Sequence, residues 1–322
     1  MTPGAAIDDH RFRGEPAITL RAGELVATFV PQVGMTGVSL RYRGHEYLAV
    51  PGGLAALRQG KTAGLPLLAP WANRLAGWRY RAAGVPVDLT GLRLGTDGNG
   101  LPIHGLLVGK PGWRVDQQTT RGGTAKLRAA IDVDEPAFPF PHRVEVTVTA
   151  RENSLHVDTT VIPTGRRRVP IAFGWHPYLR LPGSPRSKWR LRLPPRQHCT
   201  LDERGIPTGA ASAEPADAAP IGRRTFDDLY ALGRQRVLAF EADNGAAVEL
   251  RCGHGYPHAQ VWVPSSRSFG ALEPMAAPTN ALVDGSPPLV APGEEFTARY
   301  RLTLSAPDQP SRRAEESRST AS

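Results

Sequence analysis

At 322 residues the chain can bury a large core, as one big β domain or as two smaller ones. Its net charge of +9 comes almost wholly from arginines scattered singly, apart from Arg166-Arg167-Arg168, Arg223-Arg224 and Arg312-Arg313, and without a basic stripe this argues against nucleic acid as a partner. The two cysteines, Cys199 and Cys252, make neither a disulfide framework nor a metal cluster and suit a reducing cytoplasm, and no apolar run approaches the ~18 residues that span a membrane.

Met1 to Pro16 mix acids, arginines and glycine without an apolar stretch, which reads as a flexible N-terminal segment (1–16) and not as a secretory signal. Beyond it, 34 glycines and 31 prolines leave few places for a long helix, and apolar and polar residues alternate between them. Strands are predicted at Leu25 to Val30, Arg143 to Thr149 and Leu155 to Val161, the last two joined by a turn at Arg151 to Ser154. Further strands follow at Trp189 to Leu193, Val237 to Glu241, Ala247 to Arg251, Ala259 to Val263 and Phe296 to Leu304. Many short strands without βαβ spacing predict an all-β fold, an antiparallel β-sandwich, formed as a single domain over 17–305. Gly209 to Pro220, rich in alanine and polar residues, reads as an exposed loop, and 306–322 as a disordered polar tail.

Two segments place one titratable side chain each inside an apolar, proline-braced run. They are Ala172-Phe173-Gly174-Trp175-His176-Pro177-Tyr178 and Gly270-Ala271-Leu272-Glu273-Pro274-Met275. A histidine titrates near neutral pH and a buried carboxyl can be tuned towards it, so the two suit proton transfer in both directions, as opening and reclosing a sugar ring requires. His176 also reads as a structural histidine, and Glu273 as an arginine partner.

Other blocks are individually ambiguous. In Pro70-Trp71-Ala72-Asn73-Arg74, Arg74 offers a fork of donors to hydroxyl oxygens, or else pins a loop to backbone carbonyls. Trp71 offers an aromatic face for the apolar side of a sugar, and Tyr178 keeps the surroundings of His176 aromatic. His104 in Ile103-His104-Gly105 reads equally as a buried structural histidine. In Phe226-Asp227-Asp228, paired aspartates grip vicinal hydroxyls or form a turn or helix cap. His254 and His258 have i, i+4 spacing, but Gly253, Gly255 and Pro257 argue against a metal-binding helix.

In this order the Asn73-Arg74, His104-Gly105, His176-Pro177-Tyr178, Phe226-Asp227 and Glu273-Pro274 motifs resemble the aldose 1-epimerase (mutarotase) family, with a match from about Leu25 to Leu304. The resemblance implies a large antiparallel β-sandwich, a supersandwich with an open carbohydrate-binding cleft. It also implies α/β anomer interconversion of an aldohexose, with no metal and no organic cofactor. His176 matches the general acid and Glu273 the general base. Arg74 and His104 match residues that hold the sugar near its ring oxygen and hydroxyls. Asp227, rather than Asp228, matches the hydroxyl-gripping position. One departure is Val108-Gly109-Lys110-Pro111-Gly112-Trp113, where several relatives carry an Arg-Trp stretch.

Two rival readings stand beside this one. A hexose-6-phosphate 1-epimerase would use the same chemistry and needs arginines converging at the far end of the cleft, with Arg166 to Arg168 as candidates. A non-catalytic carbohydrate-binding β-sandwich would keep the cleft without turnover. A small-molecule sugar is the expected partner, and the chain is expected to be a monomer or homodimer.

Overall fold

The alternation seen in the sequence becomes register in the structure, a computed structural model describing residues 4–308 apart from Ser266 and Ser286. Phe138–Arg151 and Ser154–Pro163 form a long hairpin in which Val144 faces Val161 and Val148 faces Val157. Every second side chain of the first strand is buried, because successive residues of a strand point to opposite faces. This hairpin lies in a nine-stranded sheet that also takes Thr124–Glu135, Phe296–Ser305, Ala247–Cys252 and Val237–Glu241, all antiparallel.

A five-stranded meander precedes it, from Ala6–Phe12 to His45–Glu46. This corrects the expectation of a flexible segment over 1–16. Ala6–Phe12 pairs with Glu15–Ala22 through a tight turn in which Arg13 and Gly14 both have positive φ, 49° and 88°. The strand escaped notice because it is an edge strand with both faces largely solvated, so no apolar run marks it. Residues 1–3 lie outside the described residues, as does 309–322, most of the expected tail. Gly209 to Pro220 is also corrected: it belongs to the exposed edge strands Pro207–Glu214 and Asp217–Pro220, whose small side chains carry no buried face.

An eight-stranded sheet completes the sandwich, running from Pro207–Glu214 through Arg196–Leu201, Phe226–Leu232, His258–Val263 and Gly270–Met275 to Gly174–Trp175 and Leu67–Leu68, with Tyr178–Leu179 paired on Gly270–Met275. One buried apolar cluster draws on all three large sheets, with Leu20 and Leu40, Val146 and Leu302, and Val261 and Leu272 among its members. Trp175 joins two of the layers. Its ring packs edge-on against Tyr300 at 5.8 Å, and its indole N–H donates to Thr159 Oγ1 at 3.0 Å. Full burial of such a side chain stabilises by about 1.5–3 kcal/mol, so the sheet that carries His176 is anchored to the core at the preceding residue. Among the described residues no helix is long and apolar enough to cross a membrane.

Candidate active site

Strand register alone brings His176 to Glu273. Gly174 pairs with Met275 and Tyr178 with Ala271, so the same antiparallel register sets His176 opposite Glu273. Pro177 has no N–H to give, and the His176 N–H donates away from Glu273, to Pro66 O at 3.1 Å. Gly174 leaves the room this needs: a Cβ there would sit 2.8 Å from Pro274 O and 2.9 Å from Ala72 Cβ.

The next two strands extend the wall. Glu273 pairs with Gln260 and Gln260 with Leu229, while Ala271 pairs with Trp262 and Trp262 with Asp227. Alternation therefore puts Asp227, Trp262, Gln260 and Glu273 on one face of the sheet. Gln260 Nε2 donates to Asp227 Oδ1 at 2.6 Å, tying the hydroxyl-gripping candidate to the strand beside the candidate base.

The opposite wall comes from two pinned loops. Asn73 and His104 both have positive φ, 57° and 64°, and the His104 N–H donates to Asn73 O at 3.0 Å. Gly105 follows at φ 68°, where an added Cβ would overlap the Ala69 carbonyl, so a glycine is required after His104. Arg74 reaches three acceptors: Nε donates to Asp97 Oδ2 at 2.8 Å, Nη1 to Asn73 Oδ1 at 3.1 Å and Nη2 to Asp227 Oδ2 at 3.2 Å. Asp97 is itself fixed by the N–H groups of Asn99 and Leu101, which donate to Oδ1 at 2.9 Å.

The result is a cavity of about 230 Å³ that brings together Arg74, His104, His176, Tyr178, Asp227 and Glu273. His176 Nε2 lies 3.3 Å from Glu273 Oε1, and both side chains are buried. The two groups touch rather than face each other across a gap. The Tyr178 ring stacks on His176 at 4.6 Å and 19°, with its hydroxyl 2.7 Å from Thr62 Oγ1. Asp228 turns away from the cavity, to His198, with Oδ1 3.3 Å from Nε2.

Trp71 is the sequence-derived candidate the cavity does not include. It is 1% exposed and packs in the core, its backbone bridged to Ala172, so its ring presents no face to a ligand. Trp262 stands in the cavity instead, 5.5 Å from the His176 ring. Arg166, Arg167 and Arg168 are exposed and lie outside the cavity lining. Sequence reasoning missed Trp262, Gln260 and Asp97. The first two had a signal, since Gln260 and Trp262 alternate with the apolar Ala259, Val261 and Val263 and so occupy the other face.

Burial governs the electrostatics. It pushes the Glu273 carboxyl well above the usual carboxylate range, Asp227 adds to the rise, and Arg74 opposes it. It holds the His176 imidazolium well below its ordinary range, with His104 adding to the fall. His104 drops to about 3 through burial and the nearby Arg74. Arg74 behaves otherwise: burial disfavours its charge, but Asp227 and Asp97 together raise it. Burial thus disfavours the charged form of both His176 and Glu273. The ring Nδ1 atoms of His104 and His176, two residues that line the cavity, are buried without a hydrogen-bond partner, which marks the cavity as built for a polar ligand. Among the described residues no group of three or more His, Cys, Asp or Glu side chains is arranged to hold a metal ion.

Comparison with known proteins bears on the fold. The chain is similar in structure to a galactose mutarotase-like protein of Clostridium acetobutylicum at 18% identity and a TM-score of 0.82, covering 94% of this chain and 98% of the other. It is similar to an aldose epimerase homologue of C. elegans at 15% identity and a TM-score of 0.73, covering 94% and 100%. A galactose 1-epimerase of Lactobacillus acidophilus matches at 12% identity and a TM-score of 0.75, covering 95% and 100%. At these identities the likeness establishes the fold. The model of the family described as aldose 1-epimerase matches residues 16–303, nearly the whole chain, and the chain belongs to that family of isomerases.

Proposed function

We propose that the protein interconverts the α and β anomers of a free aldohexose, with Glu273 as general base and His176 as general acid. The observation that carries this reading is the 3.3 Å approach of His176 Nε2 to Glu273 Oε1 inside a cavity that also holds Arg74, His104 and Asp227. In a pyranose the anomeric hydroxyl O1 and the ring oxygen O5 are bonded to the same carbon. An acid and a base standing side by side therefore reach both, and no wide gap between them is needed.

The chemistry follows from a single shared proton. With that proton on His176, Glu273 is a carboxylate and takes the O1 proton while His176 protonates O5; the C1–O5 bond breaks and an open-chain aldehyde forms. The pair is now neutral, the state that burial favours, and the charged states occur without net charge entering the site. Rotation about C1–C2 presents the other carbonyl face. His176 then withdraws the O5 proton, Glu273 returns its proton to O1, and the ring closes to the opposite anomer. Each positioned proton transfer contributes ~10²–10⁴-fold to the rate. Arg74, with three of its five N–H donors engaged by Asp97, Asn73 and Asp227, keeps two for substrate hydroxyls.

Polarimetry of freshly dissolved α-D-glucose and α-D-galactose tests the reading. Wild type should accelerate the decay of rotation and Glu273→Gln should not. Retained sugar binding without acceleration would leave a carbohydrate-binding sandwich without turnover. The two free thiols, Cys199 and Cys252, are the support for placing the protein in a reducing cytoplasm.

A second reading, a hexose-6-phosphate epimerase, has one observation in its favour. Arg58 and Arg93 line a hollow of about 360 Å³ that shares Ile103 and His104 with the cavity. Arg58 is held there by Glu15 at 2.6 Å. Glucose 6-phosphate turned over faster than glucose, with Arg93→Ala removing the difference, would favour this reading.

A further inference from the structure

Cations that stand singly in the chain become neighbours across the nine-stranded sheet. Thr124–Glu135, Phe138–Arg151, Ser154–Pro163, Phe296–Ser305 and Ala247–Cys252 run side by side there, with Arg114–Arg121 beyond the first. Register sets Lys126 opposite Thr149, Thr149 opposite His156, His156 opposite Arg301 and Arg301 opposite Arg251. Each alternates with a core residue, Leu127, Val148, Val157, Leu302 or Leu250, so the row lies on the outer face of the sheet. At roughly 4.8 Å between strands, Lys126 to Arg251 spans about 19 Å. The rows two residues to either side add Arg121 and Arg151, and Arg128 and Arg299.

Two acids stand in these three rows, and both are engaged. Asp158 Oδ2 lies 3.3 Å from Arg299 Nε, and Glu249 lies 3.2 Å from Arg192 and 3.6 Å from Arg251. Arg121, Lys126, Arg128, Arg151 and Arg301 have no acidic partner among the described residues. Their field reaches His156, whose imidazolium is held below its ordinary range by burial and then by Arg151 and Arg301, against the opposing pull of Asp158. Beyond Arg251 the row meets a hollow of about 530 Å³ whose charged lining is Arg192, Arg234 and Arg251 against Asp217. Arg234 is exposed and also lacks an acidic partner among the described residues.

Charge complementarity calls for a polyanion, and the face itself narrows the kind. Neighbouring strands of a twisted sheet rotate by about 20–25°, so the row winds and suits a flexible linear chain better than a planar bilayer or a rigid duplex. The three rows hold no Phe, Tyr or Trp, so they offer no platform on which the bases of a single strand would stack. They do hold Thr119, Thr147 and Thr149 between the cations, whose hydroxyls both donate to and accept from sugar hydroxyls. We propose that this outer face binds an acidic polysaccharide, its uronate carboxylates meeting Lys126, Arg128, Arg151 and Arg301, with the chain leading into the arginine-lined hollow. Glu273 lies in the other large sheet, so occupancy of the face leaves the catalytic cavity open.

Isothermal titration calorimetry of the full-length protein with sodium polygalacturonate, and with neutral dextran beside it, tests this. Wild type should bind polygalacturonate and not dextran, and added salt should weaken the binding by screening. Lys126→Glu combined with Arg151→Glu should weaken it about tenfold or more, with Tm within a few degrees of wild type. Arg234→Glu, a single change at an exposed position, should weaken it several-fold and serves if the double variant does not fold. Absence of binding, equal binding to dextran, or variants that bind as wild type does would overturn the proposal. Tighter binding to single-stranded poly(dT) or to phosphatidylglycerol vesicles than to polygalacturonate would overturn it too, in favour of a nucleic-acid or membrane surface.

Discussion

His176 and Glu273 share one antiparallel register. The pairs Gly174–Met275 and Tyr178–Ala271 bracket them, their side chains meet at 3.3 Å, and burial disfavours the charged form of each. Such a pair titrates as a unit, so its activity depends on its carrying one proton rather than two or none.

This fixes the pH profile. Burial lowers His176, so the pair takes a second proton, and Glu273 would lose its proposed role as base, only well below the ordinary histidine value of 6.5. Burial raises Glu273, so the last proton leaves only well above the ordinary carboxyl value of 4.5. We expect kcat/KM for glucose to be flat through neutral pH, with an acid limb clearly below 6.5 and an alkaline limb beyond the carboxylate range. An inflection at an unshifted histidine value would break the link between burial and catalysis.

Removing the carboxyl should cost activity and add stability. Between 4.5 and its raised folded value, Glu273 is protonated in the folded chain and ionised in the unfolded one, so stability falls as pH rises through that window. His176 acts oppositely below 6.5, where the unfolded imidazole binds a proton that the folded one refuses. Glu273→Gln removes the first penalty alone. It should lower kcat at least ~10²-fold, yet raise Tm by a few degrees at pH near 8 with no gain near pH 4, measured by calorimetry at both. A variant less stable than wild type at the higher pH would mean that Glu273 is ionised in the resting protein.

Much of this was legible in the sequence, and the exceptions have physical causes. His176 and Glu273 stood out because a titratable group between apolar residues and a proline needs a reason to be there. Their pairing was not legible, since it depends on a register set by neighbours across the sheet. Ala6–Phe12 and Pro207–Glu214 were missed because edge strands exposed on both faces lack the alternation that marks a strand. Asp97 was invisible for a different reason: its partners Arg74, Asn99 and Leu101 meet it through a turn whose geometry no spacing rule reports.

Arg74 is held by three acceptors in a fork that an ammonium group does not reproduce. Arg74→Lys keeps the charge but loses the planar fork that reaches Asp97, Asn73 and Asp227 together. We expect KM for glucose to rise about tenfold and kcat to fall as well, because the contact serves ground and transition states alike. An unchanged KM in steady-state kinetics would assign Arg74 to loop anchoring.

Two tryptophans separate packing from binding. Trp71 is buried in the core, and Trp262 borders the cavity beside His176 and Tyr178. Trp71→Phe removes buried volume, and its indole N–H has no partner to lose, so it should lower stability by about 1–3 kcal/mol and leave KM within about twofold. Trp262→Ala deletes an apolar face that a sugar ring would cover. It should raise KM about tenfold, equivalent to ~1.4 kcal/mol of lost contact, with a smaller effect on unfolding. Denaturant titration and steady-state polarimetry on the two variants read these out separately. The reverse result, with Trp71→Phe weakening substrate and Trp262→Ala leaving it untouched, would return the stacking role to Trp71 and require the Pro70–Arg74 loop to open when sugar binds.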